Sequence, residues 1–407
     1  MTTQSHNPFD AALYIIEKLH AAGHRALLAG GCVRDRQLGL EPKDYDIATD
    51  ATPTQVAKIF PRARHVGATF GVMIVRKYGA DIEVATFRSD GAYSDGRHPD
   101  EVIFGTEVED AGRRDFTING LFLDPAENRI IDHVGGQVDL KDGIIRTIGD
   151  PRQRFAEDHL RMLRAVRFAA RFGFRIDQGT FDAIRDLAPR LETISAERIW
   201  MELELILTAP SRATGWTLLV RTGLRSYLSQ SWPVTPAEDK LALQRLQLLL
   251  DEPVPASLAM ATALCDRDAK RVGTVCRALR LSNRLCKAVT WLVRSLPQAR
   301  KEADLELADL KLLMAHTDWG ELLELLRVDL GARNAGSAPL VRLRQRCEAI
   351  PHEDIAPLCL LNGDDLAALG VRPGPKLGEL LDTVYRAQLN NRIKTRDQAV
   401  ALVRNAM

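Results

Sequence analysis

Two acids two residues apart, Asp44 and Asp46 in DYDIAT, are the first residues with the spacing of a reaction centre. On a strand, side chains at i and i+2 leave the same face about 6–7 Å apart along the chain. Two carboxylates so placed can hold a pair of Mg²⁺ ions, whose separation in two-metal sites is roughly 3.5–4 Å. One ion would lower the pKa of an attacking 3′-hydroxyl, and the other would neutralise charge on a leaving pyrophosphate. Glu83 lies in DIEVATF, with Ile82, Val84 and Thr86 on the opposite face, and is a candidate third ligand. Upstream, Gly30-Gly31-Cys32-Val33-Arg34-Asp35 opens a helix directly after a short apolar strand. Glycines there let backbone amides approach a phosphate, and a helix N-terminus favours the anion. Arg34 adds a charge-assisted contact to a triphosphate.

A second constellation can read bases. Asp158 and Arg161 are three positions apart on a predicted helix and so share a face. A carboxylate only accepts hydrogen bonds and a guanidinium only donates. Cytosine and adenine both present an amino donor beside a ring-nitrogen acceptor, which this pair complements. Uracil and guanine present a carbonyl and a ring N–H there, so like would meet like. Each buried group left unpaired costs about 1–3 kcal/mol, which amounts to roughly 10² to 10⁴-fold discrimination for two. Arg164 and Arg167 continue the face at three-residue steps, to orient Asp158, bind phosphate or line the primer path.

The elements that must position these groups fall into two kinds. The first 150 or so residues alternate strand and helix signals. They comprise an amphipathic start (AALYIIEKLHAAG), the strand ALLAG, a helix from about Cys32 to Leu38 that stops at Gly39, the strand DYDIAT and a helix capped at Thr52-Pro53. GVMIVR and DIEVATF are two further strands about a turn at Gly79. The pattern is an α+β unit with a small sheet. Beyond Pro151 the strand signals fade, and Leu- and Ala-striped helices continue to residue 407. Breaks fall at DHVGGQVDLKDGIIRTIGDP, at SWPVTPAED and near Ile350-Pro351.

Several segments, in order, carry a resemblance: GGCVRDRQLGLEPKDYDIAT (30–49), RRDFTINGL (113–121), EDHLRMLRAVRFAARFGF (157–174), SAERIWMEL (195–203) and the C-terminal NGDDLAALGVRPGPKLGELL. Together they resemble the bacterial tRNA CCA-adding enzymes and poly(A) polymerases, the class II branch of the polymerase-beta-like nucleotidyltransferases. The resemblance implies a catalytic α+β head over residues 1–150 with a small mixed sheet, followed by an all-helical remainder: a neck with the base-reading helix over 151–210, a body over 211–350 and a tRNA-binding tail over 351–407. It implies Asp44 and Asp46 as metal ligands for Mg²⁺, CTP and ATP as substrates, and the 3′ acceptor end of tRNA as partner. Gly30, Gly31, Arg34, Arg114 and Asn119 would serve the nucleotide, Asp115 would sense the ribose, and Asp158 and Arg161 would take the base-reading role. The family usually has Ala where this chain has Gly120, a change expected to be neutral because both are small.

Within the family, a poly(A) polymerase is disfavoured because the chain has FPRARHVGATFG in place of a GRRF-like segment. Residues 87–99, FRSDGAYSDGRHP, resemble the flexible loop that switches a full enzyme from C to A, which argues against a purely CC-adding enzyme but leaves an A-adding one open. A catalytically dead RNA-binding protein would have no need of Asp44, Asp46, Asp158 and Arg161.

For RNA, Lys270, Arg271, Arg277, Arg280, Arg284 and Lys287 offer phosphate contacts that give affinity without sequence choice. Lys376 and the amides of GVRPGPKLG can hold another phosphate. The five tryptophans are expected in the core. Net charge is +1 over 407 residues, so any RNA surface must come from charge placement rather than overall basicity. No DNA partner is expected. Six scattered cysteines without a CxxC pair point to free thiols in a reducing cytoplasm. The sequence shows neither a signal peptide nor an apolar run of membrane-spanning length.

Overall fold

The computed structural model describes residues 7–66, 71–91, 102–233 and 235–407. The chain forms two compact units, Met1–Ile206 with Thr214–Trp232, and Leu207–Ala213 with Pro233–Met407.

The first unit begins with α1 (Pro8–Ala21), capped reciprocally by Asn7 and Asp10, whose buried face carries Ile15, Ile16 and Leu19. The strand β1 (Ala26–Ala29) is buried throughout and passes directly into α2 (Gly31–Gln37). After β2 (Asp46–Thr49), α3 (Pro53–Ile59) starts from a Thr52–Gln55 capping box. The short β3 (Arg64–His65) leads to β4 (Val72–Lys77) and β5 (Ala80–Thr86), an antiparallel hairpin. Tyr78 and Gly79 both take positive φ, 49° and 84°, as a two-residue turn matched to strand twist requires. The strands β6 (Arg88–Asp90) and β7 (Val102–Phe104) pair apart from the main sheet and precede α4 (Glu107–Gly112). A 3₁₀ turn at Thr117–Asn119 leads to β8 (Leu121–Asp124) and β9 (Arg129–Asp132).

The main sheet has seven strands in the order β3-β4-β5-β2-β1-β8-β9 and is mixed, β2 running parallel to β5 and the other neighbours antiparallel. Its register sets Asp46 opposite Ala29 on one side and Glu83 on the other. The expected strand DYDIAT is shorter than read: pairing with β1 ends at Asp46, so Asp44 lies just outside the ladder. Alternation still holds, with Tyr45 buried between two exposed acids.

Beyond the sheet come α5 (Gly136–Asp142), β10 (Ile144–Ile145), α6 (Pro151–Glu157), α7 (Leu160–Phe172), β11 (Arg175–Ile176), α8 (Gln178–Leu187), α9 (Ala196–Thr208) and α10 (Arg212–Arg221). The helix expected to carry Asp158 is interrupted there. Asp158 is extended, φ −151° and ψ 103°, and its carboxylate accepts from the Leu160 amide at 3.0 Å. This side-chain bond competes with the helical ladder and starts a new helix two residues on. The site pair therefore straddles a helix junction instead of sharing one helical face.

The second unit is helical throughout its described residues: α11 (Pro236–Leu248), α12 (Ala256–Leu264), α13 (Ala269–Ala278), α14 (Asn283–Arg300), α15 (Leu307–Met314), α16 (Trp319–Ala332), α17 (Ala338–Glu348), α18 (Gly363–Ala368), α19 (Pro375–Leu389) and α20 (Arg396–Ala406). Arg245 on α11 is fully buried and held by Asp266 and Asp329, and Asp329 also accepts from Arg300 at 2.7 Å. Leu361, Leu366, Leu380, Val384 and Val403 close a separate small core near the C-terminus. Lys376, expected at a phosphate, reaches the Met407 carbonyl at 3.5 Å. Trp216 and Trp232 are buried core residues as expected, but Trp291 is not: it lies on a cavity wall. No described helix is long and apolar enough to cross a membrane. All six cysteines are free thiols.

Candidate active site

A cavity of about 500 Å³ opens in the first unit where β1 ends and α2 begins. Of the residues singled out in the sequence, Gly30, Gly31, Arg34, Asp46, Arg114, Asp115, Asn119, Asp158, Arg161, Arg164 and Arg167 line it. Asp44 and Glu83 do not, although both are exposed and both act electrostatically on Asp46. Residues 92–99 of the expected switching loop lie outside the described residues.

Asp46 is the cavity's acidic end. Its carboxylate reaches solvent, yet the surrounding protein strips part of its hydration, and that loss leads the causes that raise its pKa to about 6. Repulsion from Glu83 and, more weakly, from Asp44 adds to this, and Arg114 pulls the other way. No hydrogen-bond donor among the described residues engages the Asp46 carboxylate. Crowded carboxylate oxygens without a protein cation in contact are a donor set suited to a hard divalent ion. Among the described residues no three His, Cys, Asp or Glu side chains close into a cage, so such an ion would sit in an open site.

The opposite wall is cationic: seven arginines against three aspartates line the cavity. Each arginine is tethered by an acid. Asp110, 1% exposed, bonds Arg113 at 2.7 Å and Arg114 at 2.9 Å. Asp35 holds Arg34 at 2.6 Å and Arg171 at 3.0 Å. Glu202 takes Arg167 at 2.6 Å and Arg164 at 3.5 Å, and Glu157 takes Arg161. These acids fix the guanidinium groups before any ligand arrives, which lowers the entropic cost of binding an anion.

Arg34 is more confined than its motif suggests. It is 4% exposed, donates to Asp35 and Asn119, and lies 5.0 and 4.8 Å from the ring centroids of Phe168 and Phe172. It is a fixed charge in the wall. The Gly30 amide is likewise committed, donating to the Leu121 carbonyl at 2.9 Å, so the open first-turn amides belong to α2 from Gly31 onward. Gly30 itself is required by space: its φ is 70°, and a Cβ there would stand 2.6 Å from the Arg114 guanidinium.

Asp115 is a hub. Its Oδ1 accepts from the Phe116 amide and from Asn119, each at 2.8 Å, and its Oδ2 accepts from Arg164 at 2.8 Å. Burial opposes its ionisation, but Arg164 and these hydrogen bonds outweigh burial and hold its pKa near 2. Asp158 accepts from Arg198 on α9 at 2.7 Å, leaving acceptor capacity on both oxygens. Arg161 spends one terminal nitrogen on Glu157 and the Arg154 carbonyl, and the rest of its guanidinium has no partner among the described residues. Acceptor and donor thus survive side by side, each braced from behind.

The sequence reading assigned no site role to Arg113, Phe168 and Arg171, which line the cavity, nor to Arg198 and Glu202. A signal existed: Arg198 and Glu202 are i and i+4 within SAERIWMEL, and Arg171 extends the 161-164-167 series. Gly120 also corrects an expectation. A Cβ on it would lie 2.6 Å from Val134 Cγ2 and 3.2 Å from Ile148 Cδ1, so Ala there would not be neutral.

Residues 26–146 match the family "Poly A polymerase head domain", and residues 173–232 match "Probable RNA and SrmB- binding site of polymerase A". A third family, tRNA nucleotidyltransferase domain 2, matches residues 256–403. The CCA-adding enzyme of Streptococcus mutans is 34% identical over 398 residues, 96% of each chain. The crystal structure of Bacillus stearothermophilus CCA-adding enzyme in complex with CTP superposes with a TM-score of 0.79 at 31% identity, covering 98% of both chains. The Thermotoga maritima CCA-adding enzyme complexed with tRNA, at 20% identity and a TM-score of 0.68, shares the fold. The chain belongs to the CCA-adding enzyme family of nucleotidyltransferases.

Proposed function

We propose that this protein completes or repairs the 3′-terminal CCA of tRNA without a template, consuming CTP and ATP and releasing pyrophosphate. The observation that carries the reading is the cavity itself, with an uncompensated acid at one end, tethered arginines along the wall, and an acceptor–donor pair at Asp158 and Arg161. Relatives of the same length support it, one of them solved with CTP.

In this reading Asp44 and Asp46 hold divalent magnesium, and Glu83 adds the negative charge that favours its binding. Bound there, the metal supplies Lewis-acid stabilisation of phosphate charge and acidifies the attacking 3′-hydroxyl. Arg114 and Arg113 receive the triphosphate from positions set by Asp110. Asn119 and Asp115 stand at the ribose, braced by Arg164. Asp158 accepts from the amino group of cytosine or adenine while Arg161 donates to the adjacent ring nitrogen, so uracil and guanine are refused without a template. Arg164 and Arg167, joined through Glu202, hold α7 against α9 and keep that pair aligned. Exposed cations of α13 and α14 contact RNA phosphates.

The test is extension of tRNA transcripts ending at the discriminator base, at C and at CC, with CTP alone, ATP alone or both. Growth by CCA from the discriminator end followed by a stop is the expected result. Addition of A only to the CC-ended transcript would make the protein an A-adding enzyme, and long A tails on unrelated RNA would make it a poly(A) polymerase.

A further inference from the structure

The second unit holds its own cavity, of about 590 Å³, walled by α13, α14 and His316 in the turn before α16. Lys270 and Arg277 come to it from α13, and Lys287 and Arg294 from α14. No acid lines it. Among the described residues none of these four cations is paired with a carboxylate; the one hydrogen bond among them runs from Arg277 to the Thr274 hydroxyl at 3.4 Å. The contrast with the cavity of the first unit is sharp, because there every arginine has an acid partner. Four unpaired like charges around one hollow repel one another, and an anion in the hollow removes that repulsion.

Two further features say what kind of anion. Trp291 and His316 stack in the wall with ring centroids 3.6 Å apart and planes within 7°. Gly273, buried inside α13, keeps the floor clear: a Cβ on it would come within 3.3 Å of the Arg277 guanidinium and 3.8 Å of the Thr290 hydroxyl. Glycine in a helix interior is unfavourable relative to alanine, so its presence here goes with the space it leaves.

We propose that this cavity binds a phosphorylated nucleoside, with phosphate among Lys270, Arg277, Lys287 and Arg294 and the base against the Trp291–His316 wall. Aromatic faces stack on any base, and the cations supply the phosphate attraction, so the site selects nucleotides without reading sequence. It goes beyond a general basic surface because it is concave, acid-free and aromatic. The nucleotide can come from a segment of RNA or from solution, since both present the same chemistry.

Photo-cross-linking of the full chain separates the sources and needs no variant. One arm uses tRNA carrying 4-thiouridine and the other uses 8-azido-ATP, with labelled peptides mapped by mass spectrometry. Label within residues 283–294 from the tRNA arm identifies an RNA nucleotide, and label there from 8-azido-ATP identifies a free one; either supports the site. A second measurement compares Lys287→Glu with Arg294→Glu, together, against Lys240→Glu, an exposed cation of α11 outside the cavity. The double variant is expected to lose about tenfold or more in affinity for the ligand found, and for RNA to lower the salt slope by about 2. The control should change little. No label in residues 283–294 from either probe, or equal losses in the double variant and in Lys240→Glu, would overturn the proposal. The outcome is independent of which bases the catalytic cavity adds.

Discussion

At the scale of single residues, the cavity of the first unit sets two aspartates in opposite electrostatic states. Asp46 is held with its charge disfavoured, and Asp115 with its charge strongly favoured. The first suits a metal ligand, because a divalent ion repays the repulsion that the protein leaves standing. Asp44→Ala or Asp46→Ala should therefore cost nucleotide addition about 10³-fold or more while leaving tRNA affinity nearly unchanged, measured as single-turnover rates beside filter binding. Substantial turnover with Mg²⁺ in either variant would remove the metal assignment. The second is structural as much as catalytic. A carboxylate whose pKa falls from 3.8 to about 2 on folding stabilises the fold by about 2 kcal/mol where it is ionised in both states. The folded pKa is the lower one, so that stabilisation is complete above about pH 4 and is lost as pH falls through about 2. Asp115→Asn should be less stable than the parent chain by a constant margin from neutral pH to about pH 5, and the margin should shrink below about pH 4, as read from urea midpoints. A margin independent of pH would show that the Arg164 pair is not its source.

At the scale of elements, the site depends on junctions. The turn at Thr117–Asn119 hands the chain to β8, and Gly120 at that point is packed under Val134 and Ile148. Val134 is β-branched and stiff, so Gly120→Ala should destabilise the first unit by about 1–3 kcal/mol. An unchanged denaturation midpoint would mean that the junction relaxes freely. The break at Asp158 has the converse effect: it sets the carboxylate at the start of α7, where one oxygen takes the Leu160 amide and Arg198, 40 residues on, holds the other. Asp158→Ala with Arg161→Ala should loosen the choice among the four nucleoside triphosphates by about 10²-fold or more, assayed by competition on one transcript. A fall in rate with selectivity intact would dismiss base reading by this pair. These junctions were the least legible part of the sequence. The amphipathic pattern of EDHLRMLRAVRFAARFGF runs on through Asp158, and no periodicity marks a residue whose own side chain replaces the helical bond. Likewise DYDIAT reads as one strand of six residues by its alternation, but only Asp46–Thr49 find partners on the four-residue β1.

At the scale of the whole molecule, a net charge of +1 hides strong local separation, since one cavity is lined by seven arginines and another by four cations without an acid. RNA binding should therefore fall steeply with salt, with a log–log slope of about −0.7 to −0.9 for each phosphate neutralised, in filter-binding titrations. A flat response would rule out a phosphate-dominated surface. By itself the sequence determined the α+β head with its small sheet, the long helical remainder, the acids at 44 and 46, and the three-residue spacing of Asp158 and Arg161. Each of these rests on local periodicity, turn chemistry or a short motif, and such signals need only neighbours along the chain. Tertiary structure decided which charges are tethered and which are open. The partners of Arg164, Arg198 and Arg171 lie 49, 40 and 136 residues away, and the unpaired state of Lys287 and Arg294 is visible only once α13 and α14 have packed. The physical reason is that a charge's role depends on what stands within a few ångströms of it, and for these residues folding rather than spacing brings that neighbour in.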